Sequence, residues 1–386
     1  MVKILTSLGF MSGTSGDGVD ASIIKSNGEI ESNDKNDVEL VKDKFFEYDK
    51  KTISKIHSLR DKINFSKDLE IHNKEIREIE REITLFHAKA AKDMIKGIDI
   101  DLIGFHGHTI FHNPKEKISK QIGDAELLSQ LTNKTIVFNF REKDIKNGGE
   151  GAPLAPIYHC AIGTNKEIEL PYSFLNIGGI SNITTFSHLP SGTFHARDIG
   201  PGNCLIDKWM RENSNFNYDK DGEIARSGIV NKLILEQVYN HRSQYFEGKS
   251  ILDKQRSLDI KNYDLGFVRG LNLEDGAATL TEYTADLLCD FLTNNYFQED
   301  LPSQLFNKII LMGGGRKNKF LVHKIKEKLG NTSQVFMIDD YGIDGDFVES
   351  QAFAFLAIRS FNNLPTSFPW TTGCEKENIG GEIIKN

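Results

Sequence analysis

The sequence is poor in cysteine and has no long apolar run, and each shortage excludes a class of protein. Its 4 cysteines are scattered without a Cys-x-x-Cys pair, which predicts free thiols rather than a disulfide framework or a zinc site. No stretch reaches the ~18 consecutive apolar residues of a membrane helix, and the apolar start Met1–Leu5 is too short for an export signal. We therefore expect a soluble cytoplasmic protein without a membrane partner.

Basic residues are in the minority as well. The 386 residues include 47 Lys and Arg against 55 Asp and Glu, which gives a formal net charge of -8. Because nucleic-acid binders usually carry an excess of basic residues, DNA and RNA are not expected as partners. The hydrophobic share of 39% and the charged share of 26% are typical of a globular protein, and the length suffices for two domains.

The chain also lacks two familiar nucleotide-binding fingerprints. Neither Gly-x-x-x-x-Gly-Lys-Ser/Thr nor Gly-x-Gly-x-x-Gly occurs, which excludes a P-loop enzyme and a Rossmann-type dinucleotide binder. Three other glycine-rich turns follow predicted strands, at residues 12–18, 178–182 and 313–318. Glycines let a backbone approach phosphate closely, although the first turn taken alone also fits an ordinary hairpin. Two hydroxyl-bearing turns, one at the start of each half, suit a clamp around a triphosphate.

The hydrophobic pattern predicts alternating strands and helices. A β-meander is expected over residues 5–48, and a long helix with apolar positions at helical spacing is expected over 69–98. A short buried strand at 102–105 and a helix from about Pro153 follow. The strand, glycine turn and strand that open the chain return at residues 172–187, which indicates two related halves.

The glycine turns belong to a series of motifs that resembles the anhydro-N-acetylmuramic acid kinases, which are members of the actin, hexokinase and chaperone ATPase superfamily. Each motif is modestly specific, but their order along almost the whole chain is highly specific. The motifs are Met11-Ser12-Gly13-Thr14-Ser15-x-Asp17-Gly18-x-Asp20, His106-Gly107-x-Thr109 with His112 and Pro114, Phe140-Arg141-x-x-Asp144, Gly148-Gly149-x-Gly151-Ala152-Pro153-Leu154-x-Pro156, Asn176-Ile177-Gly178-Gly179-x-Ser181-Asn182, Asp198-x-Gly200-Pro201-Gly202-Asn203, Asp221-Gly222, Gly313-Gly314-Gly315-x-x-Asn318 and Glu349-x-x-Ala352-Phe353-Ala354.

The resemblance implies an α/β fold of two actin-like (ribonuclease H-like) domains with a central nucleotide cleft. We place the N-terminal domain at residues 1–138, completed by 363–386, and the C-terminal domain at 139–362. The resemblance also implies a homodimer that uses ATP and Mg²⁺. In the implied reaction, water attacks C1 of 1,6-anhydro-N-acetylmuramic acid, the bridge to O6 opens, and O6 takes the γ-phosphoryl group. The product, N-acetylmuramic acid 6-phosphate, belongs to peptidoglycan recycling and amino sugar metabolism.

Asp198 is the predicted catalytic base, because it matches the family's catalytic aspartate and attack by water on an anomeric carbon needs a base. It is also a predicted sugar contact. The other interpretation is that Asp198 caps the helix that begins near Cys204, but Asn203 is better placed to cap it. Arg141 is predicted to bind the sugar or its lactyl carboxylate, since its fork matches carboxylate geometry, with an exposed surface arginine as the alternative. Asp17 is predicted to hold Mg²⁺ through water.

The remaining predicted sites follow from the resemblance. Further sugar contacts are expected at His106, Thr109 and Glu349. The predicted nucleotide contacts are Ser12, Gly13, Thr14, Ser15, Gly16, Asp17, Gly18, Val19, Gly178, Gly179, Ser181, Asn182, Gly200, Gly202, Asn203, Gly313, Gly314, Gly315 and Asn318.

Three positions depart from the family pattern. Asn139 stands where Asp is usual, and His108 and Glu150 each replace a Gln. The last two exchange a neutral amide for a titratable group, which affects the expected sugar contacts or pH dependence. A kinase for levoglucosan, another 1,6-anhydro sugar, is therefore kept as an alternative. More remote alternatives are an ATP-driven protein clamp and a zinc amidohydrolase whose ligands would include His106, His108 and His112.

Overall fold

The computed structural model describes residues 3–13, 16–30, 38–187, 194–245, 258, 263–293 and 308–385. The chain divides into two compact units. The first unit comprises Met1–Ile168 and Asp346–Asn386, and the second comprises Glu169–Gly345.

The first unit is built on a mixed sheet. Its strands are β1 (Leu5–Ser12), β2 (Gly18–Ser26), β3 (Val38–Glu47), β4 (Leu102–Asn113), β5 (Ile118–Ile122), β6 (Thr135–Phe138) and β12 (Glu382–Ile384). They lie in the order β12-β6-β4-β1-β2-β3, and β5 pairs with β4. β1, β2 and β3 form the expected antiparallel meander, whereas β1, β4 and β6 are parallel. The carboxyl ends of these three parallel strands therefore meet at one edge of the sheet.

The first unit also has helices, several of which pack on this sheet and bury its apolar side chains. They are α1 (Lys50–Lys62), α2 (Ser66–Ile71), α3 (Asn73–Met94), α4 (Ala125–Thr132), α5 (Glu142–Lys146), α6 (Pro156–Asn165), α12 (Val348–Phe361) and α13 (Pro369–Thr372). The core includes Leu8 and Phe10 of β1, Ile103 and Phe105 of β4, and Ile83 of α3. Burial of large apolar side chains of this kind contributes about 1.5–3 kcal/mol each.

α12 packs directly on the sheet of the first unit. A Cβ atom added at Gly9 would lie 2.1 Å from the Ser350 carbonyl oxygen, and one at Gly104 would lie 2.2 Å from the Phe353 carbonyl oxygen. Only glycine permits so close an approach of helix and strand. The first turn of α12 is therefore fixed against β1 and β4.

The second unit repeats this plan. Its strands are β7 (Tyr172–Ile177), β8 (Ile180–Phe186), β9 (Phe194–Pro201), β10 (Lys308–Met312) and β11 (Gln334–Met337). Its helices are α7 (Cys204–Asn213), α8 (Glu223–Ser227), α9 (Lys232–Tyr245), α10 (Leu273–Thr293) and α11 (Lys319–Leu329). The strand order is β11-β10-β7-β8-β9, with an antiparallel meander β7-β8-β9 and parallel neighbours β7, β10 and β11.

Both sheets place a three-stranded meander beside parallel strands in the same order. This is the strand order of a ribonuclease H-like domain, so the predicted α/β fold with two such units is confirmed. None of the described helices is long and apolar enough to cross a membrane. All four cysteines lie in the described residues, and none is joined in a disulfide.

The division of the chain differs from the predicted domain boundaries at 138/139 and 362/363. Residues 139–168 belong to the first unit, and so do residues 346–362. The physical reason is packing on α12, which itself lies on the sheet of the first unit. The hydroxyl of Tyr158 in α6 donates to Oε1 of Gln351 in α12 at 2.8 Å. The C-terminal segment joins the same unit through β12, which pairs with β6.

Some element boundaries also differ from the sequence-based expectation. The helix predicted over 69–98 is two helices, because the backbone of His72 leaves the helical region (φ -97°, ψ 13°). The second of them ends at Met94, shortly before Gly97, whose φ of 79° is left-handed. The strand predicted at 102–105 extends to Asn113, and the helix predicted from Pro153 begins at Pro156.

Candidate active site

The predicted sugar-side residues of the first unit lie near the carboxyl ends of its parallel strands. His106 and Thr109 are in β4, Arg141 follows β6, and Ser12 ends β1. Ligands of open α/β sheets bind outside this edge. The sheet topology thus brings together residues that are far apart in the sequence.

Arg141 is anchored by two hydrogen bonds. Its Nε donates to Nε2 of His106 at 3.1 Å, and its Nη1 donates to the Gly151 carbonyl oxygen at 2.8 Å. Because Nε2 of His106 accepts, its proton lies on Nδ1, which is 2.9 Å from the Gly107 carbonyl oxygen. Burial, and then the neighbouring Arg141 charge, hold the pKa of His106 well below its usual value, so the ring is neutral. A neutral imidazole is the form that can accept from a guanidinium.

The ring of His106 is also packed from α12. Phe353 lies with its ring centroid 4.4 Å from that of His106. Glu349 stands one helical turn earlier in α12 and is half-buried. Thr109 Oγ1 accepts a hydrogen bond from Nε2 of Gln121 at 3.2 Å. The predicted sugar contacts of the first unit thus share the edge formed by β4, the residues after β6 and the start of α12.

The turn between β1 and β2 is fixed by a buried histidine. The Ser12 hydroxyl donates to the Gly18 carbonyl oxygen at 2.9 Å and lies 3.0 Å from Nδ1 of His108. Since the hydroxyl proton points to Gly18, His108 donates from Nδ1 to Ser12. The hydroxyl of Ser12, a predicted nucleotide contact, therefore donates within the turn. Burial lowers the pKa of His108 to about 3, so this ring stays neutral.

The rest of this turn is described in part. Thr14 and Ser15 lie outside the described residues. Gly16 has a φ of 63°, and its N–H donates to the Gly13 carbonyl oxygen at 3.0 Å. Asp17 is exposed, and its carbonyl oxygen accepts from the Tyr48 N–H at 2.9 Å. The side chain of Val19, also a predicted nucleotide contact, packs in the core of the first unit.

In the second unit, the predicted nucleotide residues gather at the carboxyl end of β7. Gly178 and Gly179 connect β7 to β8, and their carbonyl oxygens accept from the N–H groups of Asn203 and Gly202 at 2.8 and 2.9 Å. A Cβ added at Gly202 would lie 2.2 Å from the Gly178 carbonyl oxygen. The start of α7 and this turn therefore form one backbone unit. The side chain of Asn203 makes no capping bond on α7.

The third glycine turn lies against the same strand end. Cβ atoms added at Gly313 and Gly315 would meet Oδ1 of Asn176 at 2.3 Å and Cγ2 of Ile177 at 2.2 Å. Gly314 has open space on its Cα. Asn318 caps α11 by accepting from the Leu321 N–H at 2.9 Å. All three glycine segments of the second unit thus converge on the end of β7.

Asp198 lies on β9 beside these glycines. It pairs with Asn182 of β8, and a β-bulge separates this pair from the pair formed by Ser181 and Gly200. The preceding residue, Arg197, lies over the ring of the core residue Phe291, so Asp198 faces the opposite side of the sheet. Asp198 is only 8% exposed, and its Oδ2 accepts from the backbone N–H of Leu258 at 2.7 Å. It is a buried carboxylate held by the backbone.

The three departures from the family pattern have distinct surroundings. Nδ2 of Asn139 donates to Oε1 of Glu382 at 2.7 Å and also to Oε2 of Glu142. His108 is fully buried against Ser12, away from the surface. Glu150 is half-buried, and its N–H donates to the Thr372 carbonyl oxygen at 2.9 Å. The change at His108 therefore affects the support of the first glycine turn.

Two supporting residues carried no predicted role. Asp144 is completely buried and accepts from the Gly151 N–H. Arg316 is buried and donates to both Asp339 and Asp344, and its Nη1 donates to the Gly313 carbonyl oxygen at 3.1 Å. Both stand inside quoted motifs, which was the available signal. The Asp144–Gly151 bond spans 7 residues and the Arg316–Asp344 bond spans 28, so these contacts were not visible in the sequence.

A family model described as anhydro-N-acetylmuramic acid kinase matches residues 5–386 of this chain. A curated protein of that name from Pelagibacter ubique (strain HTCC1062) is 48% identical over 388 residues, which cover 100% of both chains. The chain belongs to the anhydro-N-acetylmuramic acid kinase family. A relative of the same name from Brucella canis is 35% identical over 100% of both chains, and one from Zymomonas mobilis is 36% identical over 98% and 99%.

Solved structures give a weaker likeness. A ROK family glucokinase from Streptomyces griseus in complex with glucose and AMPPNP covers 91% of this chain and 99% of its own, with 12% identity and a TM-score of 0.38. An activator of 2-hydroxyisocaproyl-CoA dehydratase from Clostridium difficile with bound ADPNP gives 10% identity and a TM-score of 0.39.

The family membership confirms the predicted resemblance and the prediction of a kinase, that is, of a phosphotransferase. It favours neither an ATP-driven protein clamp nor a zinc amidohydrolase. Among the residues that the structure describes, no three His, Cys, Asp or Glu side chains group as metal ligands. His106 and His108 instead bond to Arg141 and Ser12.

Proposed function

We propose that this chain uses ATP and water to convert 1,6-anhydro-N-acetylmuramic acid into N-acetylmuramic acid 6-phosphate. Water attacks C1 and the C1–O6 bond breaks. O6 takes the γ-phosphoryl group, ADP leaves, and the proton lost by the water passes to Asp198. The observation that carries the proposal is the match to the kinase family over residues 5–386, which includes the buried Asp198 beside the glycine turns.

Asp198 is the proposed general base. Burial of a carboxylate disfavours its charged form, and hydrogen bonds from N–H groups favour it. The N–H of Leu258 donates to Oδ2 at 2.7 Å and so fixes the orientation of the carboxylate. A base of this kind typically contributes about 10²–10⁴-fold to the rate.

The glycine turns are the proposed nucleotide contacts. Phosphoryl transfer depends mainly on positioning and on neutralisation of phosphate charge. Backbone N–H groups at turns that lack side chains bind phosphate oxygens well. The segments at 178–182, 200–203 and 313–318 meet at the end of β7 in the second unit. The N–H groups of Gly202 and Asn203 already donate to carbonyl oxygens there, so other N–H groups of these segments are the proposed phosphate donors. In the first unit, the turn at 12–18 is the corresponding proposed contact.

Asp17 is the proposed residue for Mg²⁺, through water. Its carboxylate is exposed on the first glycine turn, and an exposed carboxylate suits a hard cation, which prefers oxygen ligands. The Tyr48 N–H donates to the Asp17 carbonyl oxygen at 2.9 Å and so fixes the backbone there. When bound, Mg²⁺ neutralises charge on the phosphate oxygens. A homodimer stays a prediction from the family resemblance, and a cytoplasmic location stays a prediction from the composition of the sequence.

Arg141 is the proposed contact of the lactyl carboxylate, and His106, Thr109 and Glu349 are proposed to contact the sugar. The guanidinium is held at Nε by His106 and at Nη1 by the Gly151 carbonyl oxygen, so its plane is set before the sugar binds. A preset guanidinium binds a carboxylate more tightly than a mobile one, because less rotamer freedom is lost.

The proposal is tested by ADP release from ATP and Mg²⁺ with 1,6-anhydro-N-acetylmuramic acid and, in parallel, with levoglucosan. Asp198→Asn should lower kcat with the muramic sugar by at least ~100-fold while ATP binding is kept. Asp219→Asn is the matched control. Asp219 is also buried and accepts from two backbone N–H groups at 2.9 Å, but it has no proposed role in the reaction.

Each outcome has a separate meaning. Turnover of the muramic sugar that Asp198→Asn loses and Asp219→Asn keeps supports the substrate and the base together. Turnover of levoglucosan alone would assign the alternative substrate within the same chemistry. Full activity of Asp198→Asn would contradict the role of the base.

A further inference from the structure

We propose that Asp144 is a positioning residue for substrate recognition, because it fixes the Arg141 guanidinium through the backbone of Gly151. The inference rests on the proposed function, in which Arg141 binds the carboxylate of the sugar. It adds a buried carboxylate as the group that sets the selectivity for an acidic sugar over a neutral one.

Asp144 is completely buried, and both of its oxygens accept hydrogen bonds. Oδ2 accepts from the Gly151 N–H at 2.7 Å, and Oδ1 accepts from the Thr372 hydroxyl at 2.7 Å. A buried carboxylate is retained only when hydrogen bonds compensate for its loss of water. These two hydrogen bonds therefore hold Gly151 and Thr372 against the carboxylate.

The loop after α5 closes around this carboxylate. The Gly149 N–H donates to the backbone carbonyl oxygen of Asp144 at 2.9 Å. A Cβ added at Gly149 would lie only 2.2 Å from Oδ2 of Asp144, so the carboxylate occupies the space that a side chain would need. The path of residues 147–151 is thus set by Asp144.

Gly151 links the buried carboxylate to the sugar-side arginine. Its N–H donates to Asp144, and its carbonyl oxygen accepts from Nη1 of Arg141 at 2.8 Å. The other anchor of Arg141 is His106, which accepts from Nε at 3.1 Å. If Gly151 moves, Arg141 keeps one anchor and its fork can rotate about it. Asp144 thereby controls the orientation of a guanidinium that it does not contact.

Asp144→Asn changes this arrangement with almost no change in volume. Asn has one acceptor oxygen, whereas Asp144 uses two. In one orientation the amide NH₂ faces the N–H of Gly151, donor against donor. In the other, the amide oxygen keeps the Gly151 N–H in a weaker bond without the carboxylate charge, and the Thr372 hydroxyl must accept instead of donating. We expect Gly151 and the Arg141 fork to shift, and the affinity for the acidic sugar to fall more than the affinity for a neutral analogue.

The test is calorimetric binding of 1,6-anhydro-N-acetylmuramic acid and of its methyl ester, which lacks the negative charge, to the full chain. In the wild type the acid should bind at least ~10-fold more tightly than the ester. In Asp144→Asn this ratio should fall at least ~5-fold, with the ester affinity within about twofold of wild type. Arg141→Lys should also reduce the ratio, and the double variant should be no worse than Arg141→Lys alone.

Controls separate positioning from general destabilisation. Asp219→Asn should lower the unfolding temperature and leave the acid-to-ester ratio unchanged. If Asp144→Asn does not fold, Gly149→Ala is used instead, since its added methyl group displaces the Asp144 carboxylate. A folded variant that keeps the wild-type ratio, or loses affinity for acid and ester equally, overturns the role of Asp144. A wild type with no preference for the acid overturns the proposed role of Arg141 first, before any Asp144 variant is compared.

Discussion

The two units share one strand order but hold their predicted ligand contacts in different ways. The first unit uses side chains, as in the series Asp144, Gly151, Arg141 and His106. The second unit uses backbone, where the N–H of Gly202 donates to the Gly179 carbonyl oxygen. Backbone contacts suit phosphate, which every nucleotide presents, whereas fixed side chains suit a particular sugar. On the proposed assignment of sites, the backbone contacts of the second unit serve the nucleotide and the side chains named in the first unit serve the sugar.

The units also differ in their histidines. Five buried or half-buried histidines of the first unit have a pKa below the usual value, chiefly because of burial. They are His87 (about 4), His108, His112 and His159 (each about 3) and His106 (well below the usual value). In the second unit, His195 is half-buried and His323 is exposed. Among the histidines whose side chains the structure describes, those with a clearly lowered pKa thus lie in the first unit.

The largest expected effect is a difference in acid stability between the units. Each such histidine stays neutral when folded but takes up a proton below about pH 6.5 when unfolded. Each such histidine therefore contributes fully to the free energy of unfolding above that pH. As the pH falls below it, this contribution is lost at about 1.4 kcal/mol per pH unit. The 2 tryptophans report the units separately, Trp370 in the first and Trp209 in the second.

The measurement is urea unfolding of Trp209→Phe, which retains Trp370, and of Trp370→Phe, which retains Trp209. Between pH 7 and pH 5, the midpoint that Trp370 reports should fall more than the midpoint that Trp209 reports. Equal falls, or a larger fall at Trp209, would break the proposed contrast between the units.

A second prediction concerns the backbone site of the second unit. Gly202→Ala places a methyl group 2.2 Å from the Gly178 carbonyl oxygen, so the turn and the start of α7 must separate. Overpacking of this kind costs about 1–3 kcal/mol, and ADP affinity measured by calorimetry should fall ~10–100-fold. Gly200→Ala, whose Cβ would keep contact distances of 3.7 and 3.8 Å, should lose much less. Equal losses would show that the effect is not caused by the close contact.

The smallest expected effect is at Asn139 of the first unit. Asn139→Asp replaces an amide that donates to Glu142 and Glu382 by a third carboxylate. Because these groups are partly exposed, the free energy of unfolding should fall by about 1 kcal/mol or less. Thermal unfolding should show that the loss shrinks at 1 M salt. It should also shrink in the Glu382→Gln background, and a loss of the same size there would contradict the electrostatic cause.

Features set by local sequence were predicted well. The meander of residues 5–48, the strands beside each glycine turn and the two related halves follow from alternation and turn residues. The kinase family followed from the order of the motifs. The strands and turns are short-range patterns, and the physical preferences that produce them act over a few residues, whereas the family needed the order of motifs along the whole chain.

Features set by distant packing were not predicted. The assignment of α12 to the first unit depends on Gly9 and Gly104, which admit the helix against the sheet. The bond between Asp144 and Thr372 joins residues 228 positions apart. Nothing local marks such pairs, because the individual residues are ordinary for loops and strands.

The central claim is that water attacks C1 of the sugar while O6 receives the phosphoryl group. It is tested most directly by running the wild-type reaction with 1,6-anhydro-N-acetylmuramic acid in H₂¹⁸O. The product is reduced at once with borohydride to fix O1, and then analysed by mass spectrometry. We predict one ¹⁸O atom at C1 of the sugar phosphate and none in its phosphoryl group. Label in inorganic phosphate, with the sugar unlabelled and unopened, would instead show ATP hydrolysis and contradict the account.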